Sequence, residues 1–273
     1  MTRALLLAPI AALAAAVVLG PWWAPHDPSS VVAAPWQAPG PGHPLGADGL
    51  GRDVWSRVLA GGGRLLGTAA AAAVCASAAG VAAGLAAGWA PGPVDRALTA
   101  AADLLLAVPS LLLALVAAMA LPAHTAVVAA TVCGGAPLTL RVVRDATRSL
   151  RGAGHVEAAL GRGEGPAAIL AREVLPAMKG LIAADFGLRV VVALQIASAL
   201  GVLGFGAPPS VPDWALMLRE NMTGAAINPW AVAAPAAALG TATVALALTA
   251  QLLRSGDRTR PRPRGARKEA RDG

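Results

Sequence analysis

Charge is what this chain has least of. Only 14% of its 273 residues are Asp, Glu, Lys or Arg, against about 25% in an average soluble domain. With 56% hydrophobic residues and a mean hydropathy of +0.61, this excludes an ordinary soluble domain and points to an integral membrane protein. Cysteine is as scarce. Cys75 and Cys133 both fall in apolar runs, without a CxxC or a Cys/His cluster. That argues against a disulfide framework or a metal site and for two small buried hydrophobes. Aromatics amount to seven Trp, two Phe and no Tyr.

The motifs of catalysis and nucleotide binding are missing as well. No GxxxxGK[ST] loop is present to cradle phosphates. Neither GxSxG nor HExxH occurs. His26, His43, His124 and His155 are scattered over loops and edges, so no His-based metal or acid–base site is expected. The chain reads as a non-enzyme without a cofactor of its own. Uphill movement of a solute through it would draw energy from elsewhere.

What the chain does have is long apolar runs. A spanning helix needs about 20 mainly apolar residues, because 1.5 Å per residue must cover roughly 30 Å. Six stretches qualify: 4–20, 66–89, 98–121, 123–140, 181–203 and 230–253. The first has Arg3 ahead of it, like a signal peptide, but no clean A-x-A site follows, so it reads as an uncleaved helix. With the N-terminus inside, the inside segments hold 17 Lys/Arg and the outside segments four, Arg52, Arg57, Arg64 and Arg219. This asymmetry places both termini in the cytoplasm. Eight Lys/Arg against three acids fill residues 254–273, a tail suited to anionic lipid rather than to nucleic acid. The organisation expected is an N-terminal helix and extracytoplasmic segment (1–63), a permease-like core (64–253) and the basic tail.

Within the spans, Gly80, Gly84 and Gly88 form a GxxxGxxxG row, a surface for close helix approach inside the chain or against a partner. Asp103 lies near the cytoplasmic edge, with Arg96 or Arg141 as its candidate partner, and Arg189 either snorkels or faces a wet interior. Trp22, Trp23, Trp36, Trp55 and Trp230 flank the spans and read as interfacial anchors.

The longest charged break is the cytoplasmic segment EAALGRGEGPAAILAREVLP, Glu157 to Pro176, inside the loop 141–179. Its glycines and prolines predict two short helices. Gly163 and Gly165 supply the turn, Pro166 opens the second helix, and Pro176 ends it.

Glu157-Ala158-Ala159, then Gly163, then Val174-Leu175-Pro176 resembles the EAA–G–(I)LP loop of ABC importer permeases. The similarity extends over residues 25–255. The run His43-Pro-Leu-Gly46-Ala-Asp48-Gly-Leu-Gly51-Arg52-Asp53-Val-Trp-Ser-Arg57 resembles the HPLGTDxLGRDVxSR segment of dipeptide/oligopeptide/nickel permeases of the C-type subunit. Asp103 to Ser110 is similar to that family's DxLLAIPS, Arg141 to Arg144 to its RLVR, and Gly204 to Trp214 to its PPxPxW turn. Departures are Gly152-Ala-Gly154-His155 ahead of the loop, where charged and aromatic residues are usual, and the extra Gly161 and Gly165.

The resemblance implies an all-α membrane protein of the type I ABC importer permease fold, in the cell membrane. It implies a sister permease, two ATPase subunits that bind the ATP, and an extracytoplasmic solute-binding protein. Glu157, Ala158, Ala159, Gly163, Leu175 and Pro176 would form the coupling loop that docks on the ATPase. Di- or oligopeptide is the default solute. Nickel, another small solute, or a stand-alone secondary transporter are the alternatives.

Overall fold

The computed structural model describes residues 3–206 and 208–258, and every regular element among them is helical. In chain order, α1 (Arg3–Trp23) leads through a long irregular segment to α2 (Val54–Ala60). A slight break separates α2 from α3 (Gly62–Trp89). α4 (Pro93–Leu106), α5 (Ser110–Ala120) and α6 (Ala123–Arg151) follow. Three short pieces, α7 (Gly154–Gly161), α8 (Pro166–Ile169) and α9 (Leu175–Ala177), then lead to α10 (Lys179–Leu200), α11 (Trp214–Asn221) and α12 (Trp230–Arg258). Residues 259–273, most of the basic tail, lie outside the described residues.

Among the described residues, four helical stretches are long and apolar enough to cross a membrane: Val54–Trp89, Ala123–Arg151, Lys179–Phe205 and Trp230–Leu252. A fifth is broken. The run expected as one helix over 98–121 is two, α4 and α5, meeting at 82°. Pro109 explains the break. It lacks an N–H for the helical ladder, and its own ψ of 127° is extended rather than helical. α1 adds a shorter apolar helix at Ala11–Trp23.

α3 and α6 form the central pair. The glycine row is used inside the chain. A Cβ on Gly80 would stand 2.5 Å from Thr139 Cβ, on Gly84 2.7 Å from Val143 Cβ, and on Gly88 2.6 Å from Thr147 Cβ. Both rows advance by four residues, so each missing side chain receives a β-branched one from α6. In lipid no hydrophobic force drives helices together, and close van der Waals approach of this kind is what holds them. Further toward the outside, Ala69, Ala72, Ala73 and Ala76 continue the buried face of α3.

Several charges in and beside the spans are paired. Asp103 accepts a hydrogen bond from Arg141, not from Arg96. Arg189 is buried and faces the interior, 3.3 Å from Asp185, whose other oxygen accepts from Thr139. Asp95 receives both Arg144 and Arg148. Two expectations change. Cys75 is exposed on α3 rather than buried, and Cys133 is only half-buried. Trp36 is a packing residue rather than an interfacial anchor, seated against Gly49 and Gly224.

Candidate functional site

The cytoplasmic ends of α3 and α6 carry a small core of their own. Val143 of α6, Val156 and Ala159 of α7, Ile169 of α8, Val174 and Met178 are buried together, with Val81, Leu85 and Trp89 of α3 packed around them. The main core lies toward the other end of the same helices. At 1.5 Å per residue a helix of 28 residues such as α3 is about 42 Å long. It therefore reaches from the extracytoplasmic segment to this second core.

α7 is closed by Gly163. Its φ of +74° is left-handed, a conformation that only glycine adopts without strain. The Gly163 N–H donates to Leu160 O at 3.0 Å and the Glu164 N–H to Ala159 O at 3.2 Å. This pair of bonds is a Schellman cap, and it satisfies the last carbonyls of the helix. Pro166 then starts α8, as expected. Gly165 has φ −71° and takes no part in the turn's left-handed geometry.

Pro176 does not end the second helix. The chain passes through a π turn, Leu170–Val174, where the Leu175 N–H reaches Leu170 O, and the helix continues through Leu175–Ala177. The wider turn absorbs the hydrogen bond that proline cannot donate. The break comes at Met178, after which α10 begins.

The six coupling residues of the sequence do not share one face. Glu157, Ala158, Leu175 and Pro176 are exposed, as is Gly163 at the turn. Ala159, expected at the docking surface, is fully buried in the small core and anchors α7 from beneath. The two lie on opposite sides because residues two apart on a helix are about 200° apart. Glu157 sits in the first turn of α7, where the helix dipole favours an acid. It makes no ion pair among the described residues.

At the opposite end, the segment from His43 to Arg57 builds a buried charge network. Asp48 holds Arg52 Nε at 2.7 Å and Arg57 Nη1 at 2.6 Å. Both guanidiniums reach across to Glu220, at 2.8 Å and 3.1 Å. Arg52 also donates to Pro209 O at 3.0 Å. Gly46 and Gly51 take φ of +70° and +75° where a Cβ would strike the carbonyls of Gln37 and Ala33. These glycines let the segment fold back on its own backbone. Asp53 caps α2, accepting from the Ser56 N–H at 3.0 Å.

Sequence reasoning missed three parts of this arrangement: Glu220, Asp185, and the meeting of two histidines. His26 and His43, expected to be dispersed, come together at Asp53 with ring centroids 4.9 Å apart. No spacing rule links residues 26, 43 and 53, because irregular chain joins them.

Several helices long and apolar enough to cross a membrane, ion pairs within the bundle and a compact helix–turn–helix at one end define a multi-pass membrane protein. Residues 80–256 match the family described as binding-protein-dependent transport system inner membrane component, and the chain belongs to that family. It is 36% identical over 221 residues to the glutathione transport system permease protein GsiD of Shigella flexneri, covering 80% of this chain and 73% of that one. It is 34% identical over 221 residues to GsiD of Escherichia coli, with the same coverage. With GsiD of Pectobacterium atrosepticum the identity is 32% over 204 residues, 74% of this chain and 68% of the relative. The chain is thus an ABC importer permease of the cell membrane, a transport component and not an enzyme. Such components act with ATPase and solute-binding partners.

Proposed function

We propose that this chain and a sister permease line the pathway of an ATP-driven importer for peptide-like solutes. Two ATPase subunits dock on the cytoplasmic side against α7, and an extracytoplasmic binding protein delivers the solute. Relatives named for the transport of glutathione, a tripeptide, support the solute class. Residues 1–63 serve as an N-terminal transmembrane helix and extracytoplasmic segment, 64–253 as the permease core with the coupling loop at about 141–179, and 254–273 as a basic cytoplasmic tail.

One observation carries the coupling role. α7 is capped by Gly163 and seated on the ends of α3 and α6, while Glu157 and Ala158 point away from the protein. A short helix fixed to two spans transmits a push as a rigid body. An unpaired carboxylate on its outer face is available for a charge-assisted contact with a basic group on the ATPase. Glu157→Lys reverses that charge at an exposed position. Uptake by the assembled importer in proteoliposomes is expected to be abolished, with membrane insertion and thermal stability unchanged. Normal uptake by this variant would overturn the coupling role.

A further inference from the structure

We propose that His26, His43 and Asp53 form a site for a divalent transition metal on the extracytoplasmic side, with zinc as the ion it fits. The proposal stands on three polar atoms that converge without satisfying one another. His26 Nδ1 lies 3.5 Å from Asp53 Oδ2, and His43 Nδ1 lies 3.7 Å from Asp53 Oδ1. Neither distance is a hydrogen bond. His26 Nδ1, His43 Nδ1 and Asp53 Oδ1 are all buried and have no hydrogen-bond partner among the described residues. Asp53 itself is fully buried. Three such atoms facing one another carry the cost of lost hydration with nothing in return.

A metal ion restores the balance. Zinc holds His nitrogen and carboxylate oxygen at about 2.0–2.2 Å in tetrahedral geometry, which sets neighbouring ligand atoms roughly 3.3–3.6 Å apart. The 3.7 Å from His43 Nδ1 to Asp53 Oδ1 is close to that edge, His26 Nδ1 stands 3.5 Å from the other oxygen of the same carboxylate, and the ligand atoms of the three residues all lie within 4.8 Å of one another. Two imidazoles and one carboxylate suit zinc and its transition-metal neighbours. Calcium and magnesium take oxygen ligands. Three protein ligands leave one position open, and the His26 side chain is 31% exposed, so the site is reachable from outside.

The ligands are also held from behind. Asp53 Oδ2 accepts from the Ser56 N–H and from Ser56 Oγ at 2.6 Å, which fixes the carboxylate and leaves Oδ1 free. The His26 main-chain N–H donates to the same Ser56 Oγ at 3.1 Å. His43 is fixed by a backbone pair with Gly40, at 3.1 Å in each direction. Ser56, which orients the carboxylate, is the kind of outer partner that accompanies a built site, while the main-chain bonds of His26 and His43 hold the backbone that carries the two rings. An ion here ties the chain just after α1 and the His43 turn to the start of α2, closing the irregular extracytoplasmic segment on itself. An ion held only by the folded chain stabilises it by mass action.

The test uses the full chain, purified in detergent through a histidine-free tag, stripped with a chelator and exposed to zinc alone. A single zinc ion per chain by elemental analysis, a higher midpoint of thermal unfolding, and visible absorption bands with cobalt in place of zinc are the expected results. The double variant His26→Gln, His43→Gln should lose all three, while His124→Gln, His155→Gln should keep them. If the double variant does not fold, His26→Gln alone, at the partly exposed ligand, should weaken zinc binding at least tenfold. No stoichiometric zinc, or zinc retained at full affinity without His26 and His43, would overturn the site.

Discussion

Arg57 and Glu220 stand 163 positions apart in the chain and meet at 3.1 Å, with the Arg57 side chain 1% exposed. This contact joins the start of the α2–α3 span to α11, and it makes the extracytoplasmic segment part of the folded body. The network holds two acids, Asp48 and Glu220, against two bases, Arg52 and Arg57. Removing one acid leaves a buried guanidinium without its counter-charge.

Glu220→Ala therefore destabilises more than an ordinary surface change. Breaking a buried ion pair costs about 3–5 kcal/mol, and the 19% exposure of the Glu220 side chain places this case near the lower end. A clear drop in the midpoint of thermal unfolding in detergent is expected. Arg57→Met in the same background should recover part of it, since an apolar side chain needs no counter-charge. An unchanged midpoint for Glu220→Ala would show that the network carries no stability.

The glycine row makes a sharper prediction. Gly84→Val places a Cβ 2.7 Å from Val143 Cβ and 2.8 Å from Leu140 O, and neither can yield without parting α3 from α6. Overpacking of this kind costs about 1–3 kcal/mol. Gly67→Ala on the same helix meets nothing within 4 Å and should keep stability or raise it by up to about 1 kcal/mol. Equal thermal midpoints for the two variants would refute the close approach.

The glycines of the coupling segment separate into one that the turn requires and several that it does not. Gly163→Ala forces a side chain into φ +74°, at a cost of about 1–2 kcal/mol. Gly161 has helical backbone and open space around it, so Gly161→Ala should firm α7 by up to about 1 kcal/mol. Limited proteolysis of inside-out vesicles distinguishes them: faster cutting near residue 163 for the first variant, slower for the second.

Asp213 supplies a pH-dependent case. Burial pushes its carboxyl above the ordinary value of 3.8, against the opposing pull of its cap bonds to the Leu216 and Ala215 amides and of Arg64. A raised acid binds its proton more tightly in the folded state. Its contribution to stability is therefore full below 3.8 and lost as pH rises through the folded value. Asp213→Asn keeps an acceptor for the Ala215 and Leu216 amides. It should match or exceed the parent in thermal midpoint at neutral pH, with the gap closing toward pH 4. Asp213→Ala loses the cap and about 1 kcal/mol. A gap for Asp213→Asn that widens on acidification would contradict the raised carboxyl.

Much of this architecture is legible in the sequence, and the exceptions have physical causes. Apolar length and the Lys/Arg asymmetry locate the spans because lipid admits only satisfied backbone and few charges. The turn at Gly163 is legible because a left-handed residue demands glycine. The bend at Pro109 sits inside an apolar run that reads as one helix, and hydropathy is blind to direction. Asp185 hides in the same way, as a single acid in a long apolar stretch, until the structure puts Thr139 and Arg189 beside it. His26, His43 and Asp53 are joined by irregular chain, which has no period to betray which side chains meet.

The inward turn of Ala159 yields the last prediction, because it splits two neighbours that a motif treats alike. Ala158 is exposed, whereas Ala159 is enclosed by Val156, Ile169 and Val174. Ala158→Leu adds bulk where the ATPase is proposed to dock and touches nothing in the fold, so stability should stay within about 0.5 kcal/mol while uptake and co-purification of the ATPase fall together. Ala159→Leu overpacks the small core at a cost of about 1–3 kcal/mol, so its thermal midpoint should fall along with uptake. Measuring midpoint, ATPase recovery and transport on both variants separates a docking surface from an anchor. If Ala158→Leu transports normally with ATPase bound, the outer face of α7 is not where the energy enters.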